Sequence, residues 1–206
     1  MDKKPLVLAS GSPRRRELLE RAGVPLVIDP AHVDETLRSG ETPPDYALRL
    51  AREKAATVAA RHSPAWVLGA DTVVVLDGEV LGKPDDAGQA RAMLTRLAGR
   101  VHQVLTATCL LAPATLGREP KTQLVTTRVE FRQLAPKDID GYVQSQEWRG
   151  KAGGYAIQGI AAALVLAIAG SYTNVVGLPL GEVLEDLEAG RADGAPAAEL
   201  QRGQPA

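Results

Sequence analysis

Apolar and polar residues fall into blocks along the chain, each about as long as one secondary-structure element. Leu6 to Ala9 is a short apolar run closed by Ser10 and Gly11, the pattern of a first buried strand. Ser12 before Pro13 opens a helix, since Ser suits the N-cap and Pro the first turn; Gly23 closes it. Val24 to Ile28 reads as a second strand, followed by a polar loop holding Asp34 and Glu35. Pro43-Pro44 starts a long helix to about Arg61. Trp66 to Ala70 is a strand that Val73 to Leu76 continues, with Asp77-Gly78 as a hairpin turn and Glu79 to Leu81 returning. Asp85 is expected to cap a helix ending near Gly99. Val104 to Leu111 and Leu124 to Phe131 are expected to pair as long strands around a Pro/Gly loop. Pro136 starts a short helix to about Ser145, Ala161 to Ile168 reads as a buried strand, and Leu180 to Leu187 as the last helix. From Arg191 to Ala206 the chain turns to Ala, Gly, Pro and charge, which predicts a disordered tail. Hairpins and βαβ units together predict an α/β chain with a mixed twisted sheet and flanking helices. A length of 206 residues suits one large domain or two closely joined lobes.

Composition narrows the classes of function. Apolar residues make up 45% but aromatic ones only 3%, so the core is built from aliphatic side chains. Lys and Arg number 24 against 25 Asp and Glu, a balance that argues against a broad electrostatic grip on nucleic acid. The lone Cys109 lies in an apolar run and reads as a core thiol in a reducing compartment. The apolar stretch near the N-terminus is too short for a signal segment. The run Ile160 to Ala169 falls well short of the roughly 20 residues that span a bilayer, so a soluble, cytoplasmic protein is expected. His62 and His102 show no metal-ligand spacing and read as surface or structural.

Five features break local rules. The segment Ser10 to Arg16, SGSPRRR, puts three arginines into the first turn of a helix, where a cation is unfavourable by about 0.3–1 kcal/mol. A bound phosphate would reverse that sign, using free N–H groups, the Ser10 and Ser12 hydroxyls and the guanidinium forks; otherwise the run is solvated. Helical spacing prevents Arg14, Arg15 and Arg16 from all facing one ligand. Lys54 sits four residues after Leu50 and four before Val58, in the middle of an apolar stripe; it either snorkels or points into a cleft. Asp71, in the segment GADT, ends a strongly apolar strand and is either a base or metal ligand at a strand terminus, or a turn residue with Thr72. Lys83 in LGKP, like Asp34 and Glu35, is weak alone, although a triphosphate site needs carboxylates to hold a divalent cation. The loop GKAGGYAIQG, Gly150 to Gly159, implies unusual backbone angles or close approach to a ligand, and its Gln158 carries both donor and acceptor. GSYTNVVGLP, Gly170 to Pro179, has the same character.

In order, SGSPRR, the Asp34-Glu35 pair, the REKA helix of Lys54, GADT, LGKP, GRVHQV, KAGGYAIQG and GSYTNVVGLP resemble the Maf-like nucleotide pyrophosphatases over about residues 5 to 190. The resemblance implies two lobes around a central cleft, as in the inosine-triphosphate pyrophosphatases. It implies one domain to residue 190, need for a divalent metal (Mg, Mn or Co) and frequent dimerisation. It implies hydrolysis of a nucleoside triphosphate to monophosphate and pyrophosphate, with Asp71 as general base. Ser10, Arg15, Glu35, Lys54 and Lys83 would surround the phosphates and metal, with Glu35 and perhaps Asp71 as its ligands. One branch of the family takes dTTP and UTP, another 7-methyl-GTP with Trp, Gln and Glu at three diagnostic places. Arg14, Thr72 and Gln158 stand there and match the first branch. The chain departs from the family pattern at Thr106-Ala107, at Ala156, at Ala161 to Ala163 and at Gly150-Lys151. Rival expectations are a nucleotide-binding regulator of cell division with little turnover and, from the arginine run alone, a nucleic-acid binder.

Overall fold

The computed structural model describes residues 5–192. A seven-stranded mixed sheet runs through it in the order β2-β1-β3-β5-β6-β7, with β4 beside β3. The strands are β1 (Leu6–Leu8), β2 (Leu26–Ile28), β3 (Trp66–Leu76), β4 (Glu79–Leu81), β5 (Val101–Leu111), β6 (Lys121–Phe131) and β7 (Val165–Ala169). The helices are α1 (Pro13–Arg21), α2 (Pro43–Ala59), α3 (Ala87–Leu97), α4 (Pro136–Ser145), α5 (Tyr172–Val176) and α6 (Leu180–Ala192). Among the described residues only the β1–β2 and β1–β3 pairs are parallel; the longer strands are joined antiparallel, so one sheet carries both the βαβ half and the hairpin half. Asp77 and Gly78 both take positive φ, 54° and 82°, as a tight hairpin turn between β3 and β4 requires.

The position of the cavity follows from the edge of β3. Parallel β1 covers residues 66–68 of that edge and antiparallel β4 covers 74–76. Along the opposite edge β5 pairs continuously with residues 67–75. Between the ends of β1 and β4 the edge of β3 has no strand partner among the described residues, and the sheet is open there. Side chains of a strand alternate between faces. Val73 and Val75 meet Ala47, Ala51 and Ala55 of α2 on one face, while Val74 and Leu76 join the cluster of Leu94, Leu97 and Phe131 on the other. Asp71 therefore leans toward α2 and Thr72 away from it, yet both reach the gap.

Several expectations are corrected. Asp71 does not end a strand: it lies inside β3, paired with Ala107, and the open edge rather than a strand terminus is what admits a carboxylate. The run Ala161 to Ile168 is not one buried strand. Ile160–Leu164 is a 3₁₀ turn and β7 is the sheet's edge, with Leu166 66% exposed, because an edge strand without a covering layer leaves a face to water. Asp86, not Asp85, caps α3, its Oδ1 accepting the Gln89 N–H at 2.8 Å. Helix α5 was not expected, since five residues are too few for periodicity to show. The last helix runs on through Arg191 to Ala192, past the expected start of the tail; the rest of that segment lies outside the described residues. No described helix is long and apolar enough to cross a membrane.

Candidate active site

Nine of the residues singled out, Ser10, Arg14, Arg15, Glu35, Lys54, Asp71, Thr72, Lys83 and Gln158, line one cavity of about 410 Å³. Asp34 does not: its Oδ1 turns back to accept the Thr36 N–H at 2.9 Å.

The three arginines separate as helical geometry demands. Arg16 is solvated and pairs with Glu20 one turn on, at 2.9 Å. Arg14 is half-buried, with its Nε donating to Val176 O at 3.3 Å. Arg15 is buried beneath the start of α1 and braces the cavity floor. Its Nε donates to Gly177 O at 2.8 Å, Nη1 to Ser10 Oγ at 2.9 Å and Ala70 O at 2.8 Å, and Nη2 to Thr72 Oγ1 at 3.0 Å. Four donor contacts thus tie the start of α1 to the Ser10 turn, to β3 and to the Gly177 segment. Burial lowers the Arg15 pKa, while the Asp71 charge opposes that shift. Ser12 makes no side-chain cap bond, and its own N–H donates to Ser10 Oγ at 3.3 Å.

On the α2 face the apolar stripe delivers Lys54 into the cavity. Its Nζ lies 2.6 Å from Asp71 Oδ1 and 2.6 Å from Glu35 Oε1, so one ammonium bridges two carboxylates. Gly69 permits this closeness: a Cβ there would collide with Ala51 O and lie 2.7 Å from Ala55 N, so only glycine lets α2 press against β3. The second Glu35 oxygen faces Lys83 Nζ at 3.2 Å. Burial alone would raise the Glu35 pKa, but the hydrogen bond and charge of Lys54, with Lys83 behind, hold it below the usual value. Helix α2 also anchors the Glu35 loop, for Tyr46 donates its hydroxyl to Glu35 O at 2.7 Å and Arg49 Nη2 donates to Thr36 O at 3.1 Å.

On the other face Thr72 Oγ1 accepts from Arg15 and lies 3.0 Å from Thr106 Oγ1. Thr106 donates to Asn174 O at 3.1 Å, and Asn174 Nδ2 donates to Val104 O at 3.0 Å and Thr127 Oγ1 at 2.9 Å. The GSYTN segment is thereby bolted to the sheet, and the Thr72 hydroxyl belongs to this frame. Gln158 is exposed and lines the cavity from the glycine-rich loop, in which Gly153 and Gly154 have φ of 67° and 71°.

Sequence reasoning missed Arg149, Lys151 and Tyr155, which also line the cavity. Arg149 stacks on Trp148, 4.7 Å from the ring centroid, and Lys151 Nζ donates to Arg149 O at 3.0 Å. Burial and the nearby Arg14 charge lower the Lys151 pKa. The signal was present, since Lys151 and Tyr155 stand inside the glycine-rich loop already read as approaching a ligand. Six cations and two acids therefore line the cavity, the balance suited to a polyanion. His62 pairs with Asp29 at 2.7 Å and Cys109 is a buried free thiol, as expected of structural residues.

Comparison with known proteins agrees in extent with this cavity and its frame. A family model described as Maf-like protein matches residues 5–190. The chain is 51% identical over 183 residues to a dTTP/UTP pyrophosphatase of Syntrophus aciditrophicus, covering 89% of this chain and 88% of the relative. It is 52% identical over 187 residues to a dTTP/UTP pyrophosphatase of Myxococcus xanthus, covering 91% and 93%. Among solved structures, a HAM1 protein from Coxiella burnetii is similar with a TM-score of 0.48 at 16% identity, over 90% of this chain and 98% of that one. Matched over almost all of its described length, the chain belongs to the Maf-like protein family.

Proposed function

We propose that this protein hydrolyses dTTP and UTP to the monophosphate and pyrophosphate, clearing nucleotides from the cytoplasmic pool. The observation that carries the reading is the single cavity in which Lys54 joins Asp71 and Glu35 beneath five other cationic side chains and Gln158. The names of the two relatives support the substrate class.

The triphosphate lies over the start of α1, its charge met by Lys54 and Lys83 and by the fixed charge of Arg15. Arg15 acts mainly as a brace, because four of its donor contacts are already made within the protein. Ser10 holds the Arg15 side chain and presents its hydroxyl to the phosphates. Asp71 accepts a proton from a water that attacks the α-phosphorus; a P–O bond to that water forms as the bond to the β-phosphate oxygen breaks, and pyrophosphate leaves. Arg14 and Gln158 face the pyrimidine, and Thr72 shapes that end of the pocket through the frame it shares with Thr106.

The donor set fits a divalent cation such as Mg²⁺, Mn²⁺ or Co²⁺. Asp71 and Glu35 converge on one positive point, now the Lys54 ammonium. No group of three or more His, Cys, Asp or Glu among the described residues could hold a metal, so Glu35 and Asp71 would supply one or two oxygens and phosphates and water the rest, the usual manner of Mg²⁺. Such an ion would neutralise phosphate charge and lower the pKa of bound water. A homodimer belongs to the same reading, and exposed Leu166 and Ile168 on the β7 edge support it.

The test is pyrophosphate release from UTP and dTTP with Mg²⁺ present. Steady release is expected, with a loss of about 10²–10⁴-fold in Asp71→Asn. No release from the wild-type protein, or near wild-type release from Asp71→Asn, overturns the reading. Faster turnover of 7-methyl-GTP than of UTP overturns the assignment of Arg14, Thr72 and Gln158.

A further inference from the structure

His102 has no part in the chemistry just described, yet it is an expensive residue to place where it stands. It lies on β5, 2% exposed, and does not line the cavity. Burial pushes its pKa down to about 4, so the ring is neutral at pH 7. Its Nε2 lies 2.7 Å from Tyr155 Oη, while Nδ1 is buried with no hydrogen-bond partner among the described residues. The ring also meets Phe131 and Tyr155 edge-on, at centroid distances of 5.1 and 5.4 Å. A residue that merely filled this space would be apolar, since an unmet buried polar atom costs about 1–3 kcal/mol.

What His102 holds is the wall of the cavity. Tyr155 lines it, three residues before Gln158. The surrounding loop is pinned at further points: Gly153 N–H donates to Gly82 O at 3.0 Å, Ala156 N–H to Tyr142 Oη at 3.0 Å and Ile160 N–H to Glu147 Oε2 at 2.8 Å. Gln158 itself is exposed, and its amide is not hydrogen-bonded to another described side chain. A free amide on a pinned backbone suits recognition of an external donor–acceptor edge. Loop backbone at positive φ has no regular hydrogen-bond ladder to hold it, so its position depends on such side-chain pins.

We infer that His102 is a positioning residue for base recognition: through its hydrogen bond to Tyr155 it fixes the segment that presents Gln158 to the pyrimidine. The inference rests on the proposed function and deepens it.

The test is a double-substitution cycle of His102→Phe and Tyr155→Phe, read by melting temperature and by calorimetric binding of UMP and of inorganic pyrophosphate. Removing one partner strands a buried polar group, whereas replacing both with apolar rings relieves that cost. Each single variant is expected to melt below wild type, with the double variant recovering most of the difference. The recovered double variant is expected to bind UMP about tenfold more weakly, with pyrophosphate affinity within about twofold of wild type. Wild-type UMP affinity in a stable double variant shows that the pair only packs, and overturns the proposal. Equal losses for UMP and pyrophosphate overturn it too, since they mean that the whole cavity has shifted. Should the double variant fail to fold, Tyr155→Phe alone gives the same contrast between the two ligands. Absence of pyrophosphate release from UTP by the wild-type protein would sink the hydrolase reading separately, because the cycle reads binding without turnover.

Discussion

Lys54 Nζ lies 2.6 Å from Asp71 Oδ1 across the joint between α2 and β3, and the same ammonium holds Glu35 Oε1 at 2.6 Å. The Lys54 and Asp71 side chains are only 9% and 11% exposed, so little solvent screens the pair. The proposed base and metal ligand are thus held by a cation whose place depends on how closely a helix approaches a strand.

Lys54→Met keeps most of the side-chain volume and leaves two carboxylates without the cation between them. Breaking a buried pair by removing one partner costs roughly 3–5 kcal/mol. Urea unfolding should show a loss of that order, and adding Asp71→Asn should restore a good part of it, because the stranded charge is gone. Undiminished stability of Lys54→Met would contradict the bridging arrangement.

Gly69→Ala tests the approach of α2 to β3. The added methyl meets Ala51 O and the Ala55 backbone, which cannot turn aside as a flexible side chain can. Overpacking of this kind costs about 1–3 kcal/mol. Pyrophosphate release should fall more than stability alone explains, since lifting α2 draws Lys54 away from Asp71. A variant with wild-type stability and wild-type turnover would show that the joint is not tight.

Arg15→Lys preserves charge and removes the fork. A single ammonium cannot reach Gly177 O, Ser10 Oγ, Ala70 O and Thr72 Oγ1 together. Stability should drop by roughly 2–3 kcal/mol and kcat/KM for UTP by about 10–100-fold. If the lysine variant matches wild type in both, Arg15 acts by charge alone and the bracing role is wrong.

Acid should weaken the fold in part through His102. Its pKa is about 4 in the folded protein against an ordinary 6.5, so between these values the unfolded chain binds the proton and the folded one does not. Stability therefore rises with pH across that window: the contribution is complete above about 6.5 and is lost as pH falls toward 4. The shift corresponds to roughly 3 kcal/mol. Chemical denaturation at several pH values should show this slope, and His102→Gln should flatten it between pH 4 and 6.5. An unchanged slope in the variant would place the titration elsewhere.

Much of the fold was legible because it is written locally. Pro43-Pro44, the stripe of Ala47, Leu50 and Ala51, and the Asp77-Gly78 turn announce α2 and the β3–β4 hairpin through backbone preferences and periodicity alone. The run from Ala161 misled, because an apolar pattern does not reveal whether a strand lies at the centre of a sheet or on its edge. Lys54 could be picked out as a cation on an apolar stripe, but its two partners lie 17 and 19 residues away in opposite directions. Arg149 gave no sign, since a lone exposed arginine in a loop looks like any other.

The amino-acid order by itself determined most of the elements and the set of charged residues that break local rules, because propensity, capping and periodicity act over a few neighbouring positions; the family was legible through the order of its motifs. Tertiary structure decided that β1 and β4 stop short of each other on one edge of β3, and that Asp71 and Thr72 on opposite faces share the opening. It also turned Arg15 inward as a brace and set His102 behind Tyr155. These are consequences of how distant segments exclude water and satisfy each other's polar groups, and short-range pattern carries no information about them.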